Sequence, residues 1–271
     1  MVVAALTTRP VLCYHRIGGP LELGVTRVGR SVFARQMTAL ARDGWRTLSL
    51  SEFAVPRTTH DARRTFLLTF DDGYASLAQH AYPILADLGF TATTFLITHY
   101  IGGTNDWDVR YTWSRLRHLT WSDIERWRGR GFEFGSHGAT HRRLTWLADE
   151  ELRAELAHSR EMLIHRLGVE AGRAIAYPFG AVDARVMARA HEVGYMLGFG
   201  GVRGTRNALN ASRIPVYSWD IGDMPLGVRT DAWGGLGRVV AHVANRCAIG
   251  TTIMQAARRN TARLQESAAD V

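Results

Sequence analysis

An apolar run, Phe66-Leu67-Leu68-Thr69-Phe70, stops at two adjacent carboxylates and a glycine, Asp71-Asp72-Gly73. Neighbouring side chains on a continuing strand point to opposite faces. Two adjacent carboxylates can therefore serve one site only if the strand ends there and the backbone turns, which Gly73 permits. The end of a buried strand is where open α/β folds and barrels place their chemistry. The same three residues would also suit the turn of a β-hairpin, so this segment alone leaves both readings open.

A second strand-like segment, Phe132 to Ser136, runs into His137-Gly138-Ala139-Thr140-His141. Histidines four apart share a face if the chain makes a helical turn there, and their ring nitrogens can then reach one cation. Asp72 would add an oxygen ligand. Two histidines and one carboxylate leave a tetrahedral zinc with a position open for water. The alternative is a pair of surface histidines on a polar loop. A third segment, Arg173-Ala174-Ile175-Ala176-Tyr177-Pro178-Phe179-Gly180, reads as a strand ended by Pro and Gly, with aromatics at its rim.

Together the three segments resemble the polysaccharide deacetylases of carbohydrate esterase family 4, in order and separation as well as in residues. The likeness runs from about Pro10 to Tyr217. It implies that Asp71 is the catalytic base and that Asp72, His137 and His141 bind a divalent metal. The usual members carry the histidine that acts as general acid near the C-terminus. The stretch Ile249 to Met254 has none, whereas Cys13-Tyr14-His15 near the front does. This arrangement is similar to a subgroup with circularly permuted motif order, which assigns the acid to His15 and leaves His242 as the fallback. The family's arginine that orients the base aligns with Ala176, and Arg173 and Arg213 are the candidates to substitute for it.

The resemblance implies a metal-dependent amide hydrolase that removes an N-acetyl group from an amino-sugar substrate. The metal and the backbone N–H of Tyr177 would stabilise the oxyanion, and Phe179 would line a small acetyl pocket. The aromatic segment His99 to Leu119 offers Trp107 as a surface for a sugar ring. The donor set suits zinc, with cobalt or nickel as alternatives. Two rival readings stay open: hydrolysis of another C–N bond (formamide, imide or ureide) on the same barrel, and carbohydrate binding without turnover.

Composition narrows the classes. All 33 residues counted as Lys or Arg are arginine, which excludes a Schiff-base lysine and a phosphate-binding lysine of the P-loop kind. The net charge is +8, but the arginines are scattered rather than interleaved with aromatics, so a nucleic-acid partner is not expected. Membrane insertion is not expected either, because no apolar run reaches spanning length. The first nine residues do not read as a signal peptide, and only Cys13 and Cys247 are present. A disulfide framework is therefore not expected, and a cytoplasmic location is.

Strand-like runs at Val11–His15, Thr47–Leu50, Phe66–Phe70, Ala92–Ile97, Phe132–Ser136, Ala174–Tyr177, Met196–Phe199 and Ile214–Tyr217 alternate with amphipathic stretches. Ser31 is expected to cap a helix that ends near Gly44, and Pro83 to kink one over 75–88. A capping box is expected at Ser122 to Glu125, and helices over 149–167 and 183–193. The alternation predicts an α/β fold with a parallel sheet. The family likeness makes it a distorted parallel (β/α) barrel of about seven strands, fewer than the eight of the regular form. The chain 1–271 reads as a single catalytic domain, with 255–271 as a surface helix or tail.

Overall fold

The computed structural model describes residues 9–20, 25–55, 64–106, 115–202, 204, 205, 207–220 and 222. The elements in chain order are β1 Val11–Tyr14, β2 Arg16–Ile17, β3 Arg27–Val28, α1 Arg30–Arg42, β4 Arg46–Thr47, α2 Leu50–Ala54 and β5 Thr65–Phe70. There follow α3 Tyr82–Asp87, β6 Thr93–Leu96, α4 Trp121–Arg128, β7 Glu133–Ser136, α5 Asp149–Leu167, β8 Ala174–Ala176, α6 Ala184–Val193, β9 Leu197–Phe199 and β10 Ile214–Pro215. The main sheet runs β10-β1-β5-β6-β7-β8-β9, with β4 joined to the entering end of β5. Every pairing in it is parallel, giving a seven-strand curled half-barrel that bears out the expected distorted parallel barrel of about seven strands and excludes a hairpin at Asp71.

Parallel pairing aligns the strand ends. Tyr14 stands beside Phe70, Leu96 beside Ser136, and Ala176 beside Phe199. His15, Asp71, His137 and Tyr177, each one residue past its strand, therefore emerge at the same end of the sheet. Strand alternation divides the core. Phe66, Leu68 and Phe70 of β5 join an aromatic cluster with Tyr14, Phe33, Tyr82, Trp127 and Phe132. Leu67 joins Val11, Phe95, Ala174, Ala176 and Phe199 on the concave side. No strand pair closes β9 onto β10 among the described residues. Instead the segment after β9 returns along it, with Ala211 N–H donating to Gly198 O and Gly200 N–H to Ala211 O, and then enters β10 beside β1.

Several helix starts differ from the sequence expectation. Gly29, not Ser31, precedes α1, and no side chain caps that helix. The run expected as a strand from Thr47 to Leu50 breaks after Thr47, because Ser49 and Glu52 form a capping box for α2. The box of α4 is Thr120 with Asp123, so Ser122 lies inside the helix. Pro83 does not kink one long helix. A π-helical stretch, Leu77–Ala81, comes first, and Pro83 sits in the first turn of α3, where its missing N–H costs no bond. Helix α5 spans the expected residues, and α6 starts after Asp183, whose carboxylate accepts from Val186 N–H.

The turn at the end of β5 depends on Gly73, whose φ is +69°. A Cβ there would stand 2.6 Å from Leu96 Cδ2. Gly73→Ala is expected to lower the unfolding free energy by about 1–3 kcal/mol, read as a lower urea midpoint at unchanged m value.

Candidate active site

In the phase of β5, Asp71 follows Leu67 and Thr69 toward the concave side, and Asp72 would face the helices. The backbone prevents this, because Asp72 adopts a left-handed φ of 68°. Its Oδ1 consequently lies 3.5 Å from His137 Nε2 and 3.5 Å from His141 Nε2. The two histidines do not share a helical turn, as the spacing suggested. They converge through an irregular loop in which Gly138 has φ 80° and His141 φ 58°. Thr140 N–H donates to Glu155 of α5, and Gly138 N–H to Ser136 Oγ, which fix that loop to its surroundings. The non-glycine residues with positive φ among those described are Asp72, His141 and Phe179, and all three stand at this site.

His137 Nδ1 lies 2.7 Å from Ala176 O. A carbonyl only accepts, so Nδ1 carries the proton and Nε2 turns its lone pair toward Asp72. Burial pushes both imidazoles below the ordinary histidine value, His141 far below, with the neighbouring His137 adding to the shift. Both rings are therefore neutral at pH 7, the form that binds a cation. The donor atoms around a tetrahedral zinc lie about 3.3 Å apart, given bonds of about 2.0–2.1 Å. The Asp72–His137–His141 set fits that spacing and could hold a divalent metal.

Asp71 is 3% exposed and keeps its charge through Arg213. Nη1 and Nη2 of that arginine each donate to one carboxylate oxygen at 2.7 Å, and its Nε donates to Gly200 O. Burial alone would raise the Asp71 carboxyl. The charge of Arg213 and its hydrogen bonds outweigh it and hold the carboxyl well below the usual carboxylate range. Of the two candidate arginines, Arg213 is the one that reaches Asp71, while Arg173 pairs with Glu170 at the surface. The Cys13 thiol, pushed up by burial, stands 3.6 Å from Asp71 Oδ2. Cys13 is a free thiol, and Cys247 lies outside the described residues.

His15 does come to this site: donor atoms of Cys13, His15 and Asp71 lie within 4.8 Å of one another. Its charge state is a correction. Burial pushes the His15 ring down to about 4, against the opposing pull of Asp71, so it is neutral at pH 7 rather than a resting cation. Tyr177 is a second correction. Its N–H donates to Phe199 O in the sheet and its hydroxyl to Leu209 O, and the side chain is fully buried, so neither faces a substrate. Phe179 is half-buried at the rim with its ring 4.7 Å from that of His141. Its N–H makes no hydrogen bond outside its own turn among the described residues. Trp107 and His242 lie outside the described residues.

Residues 59–198, just over half the chain, match the family model described as polysaccharide deacetylase. The putative polysaccharide deacetylase YxkH of Bacillus subtilis (strain 168) is 29% identical over 191 residues, covering 70% of this chain. The chain spans 63% of the length of that curated relative. Among solved structures, the Streptococcus pyogenes deacetylase PplD in complex with acetate superposes with a TM-score of 0.67 at 23% identity, over 78% of this chain and 93% of its own. The putative polysaccharide deacetylase BA0330 from Bacillus anthracis gives 0.65 at 25% identity, over 79% and 66%. No helix among the described residues is long and apolar enough to cross a membrane.

Arg213→Met leaves the Asp71 charge buried without its partner, and is expected to cost about 3–5 kcal/mol of unfolding free energy in urea titrations. The folded-state pKa of Asp71 is depressed, so the pair stabilises the fold fully above the ordinary carboxylate value of about 3.9. That contribution is lost as pH falls further. The difference between wild type and Arg213→Met should therefore shrink below about pH 4.

Proposed function

The chain belongs to the polysaccharide deacetylase family, and on that premise we propose that it is a metal-dependent hydrolase removing N-acetyl groups from an amino-sugar glycan. The observation that carries the reading is the Asp72–His137–His141 donor set beside a carboxylate kept ionised by Arg213. Asp72, His137 and His141 are the ligands, with zinc the ion their nitrogens suit best. A bound divalent ion would polarise the amide oxygen and ease deprotonation of the attacking water.

The protein's own groups supply the rest. Asp71 accepts the proton of the attacking water. Arg213 fixes the plane of that carboxylate by its two-point contact, the role of the arginine that Ala176 replaces. The Phe179 N–H, rather than that of Tyr177, donates to the developing oxyanion, and the Phe179 ring borders the space for the acetyl methyl. His15 delivers a proton to the leaving amine. Being neutral at rest, it first takes up a proton during the reaction, and Asp71 is near enough to pass one on. Trp219 is 41% exposed, stands 4.9 Å from Tyr217 just past β10, and is the described indole we assign as a stacking surface for a sugar. A cytoplasmic glycan or natural-product intermediate is the substrate class we propose, in one catalytic domain.

Mass spectrometry of acetylated amino-sugar oligomers after incubation with the zinc-loaded protein is expected to show stepwise loss of acetyl groups. Turnover of formamides, imides or ureides with none on these sugars would favour the other C–N hydrolase reading. No turnover of either class by fully loaded protein would favour carbohydrate binding alone.

Substitutions separate the roles. His137→Ala and His141→Ala are expected to lose zinc by elemental analysis and to lose turnover with it. Asp71→Asn should keep zinc while kcat falls about 10²–10⁴-fold, and His15→Ala should behave likewise. Full zinc content in both ligand variants would remove the assignment.

A further inference from the structure

The left-handed conformation of Asp72 is disfavoured for a residue with a Cβ, and it persists only where the surroundings enforce it. Three contacts do so here. Gly73 N–H closes back on Asp71 O at 2.9 Å, and Leu119 N–H donates to Gly73 O at 2.8 Å. The third comes from a side chain far along the sequence: His118 Nδ1 lies 2.8 Å from the Asp72 carbonyl oxygen. That oxygen only accepts, so Nδ1 is the donor. The His118 ring is itself immobilised. It is 2% exposed, stacked on Tyr74 with centroids 5.0 Å apart and planes 17° apart, and its backbone bridges antiparallel to Tyr74.

We infer that His118 is a positioning residue for the metal centre, holding the Asp72 peptide in the left-handed turn that aims its carboxylate at His137 and His141. The inference rests on Asp72 being a metal ligand, and deepens that reading. Known second-sphere contacts usually reach a ligand's side chain, as Ala176 O does for His137. Here the contact acts on the ligand's backbone. If the clamp is lost, Asp72 relaxes toward the extended region and its side chain swings toward the helix face of β5, without any ligand having been changed.

The test is zinc affinity of the apoprotein, measured by chelator competition in wild type, His118→Leu and His118→Asn. Both variants lose the stack on Tyr74, but the carboxamide of His118→Asn keeps an N–H donor near the position of Nδ1. Zinc affinity is expected to fall about 10–100-fold in His118→Leu, the usual cost of an outer-sphere contact. His118→Asn should stay within about threefold of wild type. Unchanged affinity in His118→Leu, or an equal loss in both variants, would overturn the inference, since ring packing alone would then account for the residue. If only His118→Asn folds, a loss of tenfold or more in it overturns the inference and near-wild-type affinity supports it. Failure of the wild type to bind zinc would overturn the ligand assignment instead, and this inference with it.

Discussion

A carboxylate held inside a protein needs a cation or strong hydrogen-bond donors to stay ionised, and for Asp71 Arg213 is both. The two-point contact uses both Asp71 oxygens and both terminal nitrogens of the arginine, while Nε anchors on Gly200. Geometry and charge are thereby fixed together. The contact also couples the two ends of the sheet. Arg213 belongs to the segment that leaves β9, returns along it and enters β10 beside β1, while Asp71 ends β5 on the other side of β1. Displacing β10, β1 or β5 would separate the pair.

The electrostatic result suits a dication. Arg213 offsets one of the two adjacent carboxylates, and burial keeps His137 and His141 neutral. Asp71 and Arg213 offset each other, which leaves Asp72 as the acidic group on the side where the two ring nitrogens converge. The paired carboxylate remains a base and the other remains a ligand, although they are neighbours in sequence. Their environments differ more than their positions do, and that difference divides the labour between them.

Backbone strain is concentrated in the same place. Asp72, His141 and Phe179 each adopt a left-handed φ, and each lies in the loop that follows a strand. Each is held by contacts from elsewhere: His118 on the Asp72 carbonyl, Glu155 on the loop that carries His141, and the His141 ring against Phe179. Such conformations survive only when packing over-determines them. The aromatic and aliphatic layers on either side of the sheet, and helix α5, provide that packing.

The order of strands and helices was legible in the sequence because buried parallel strands read as short apolar runs between amphipathic stretches. The same was true of Asp71, Asp72, His137 and His141, whose residue types sit where those runs stop. Helix starts at Gly29 and Thr120 were misplaced, and the short helix capped by Ser49 was read as strand, because several polar residues compete for each cap and local sequence does not rank them. The convergence of His137 and His141 was anticipated, but not its cause, since a positive φ at a non-glycine residue leaves no mark in a sequence. The occupied N–H of Tyr177 depends on the β8–β9 register, and the neutrality of His15 on how much water packing removes. Arg213 was one of two arginines that could answer for Ala176. Only the fold chose between them, because the choice required a segment 142 residues away to be laid beside β1. Sequence thus determined which chemical groups lie at the strand ends, through alternation and apolar spacing. Tertiary structure decided which of them meet, in which charge state and facing which way, because those properties belong to contacts between distant segments.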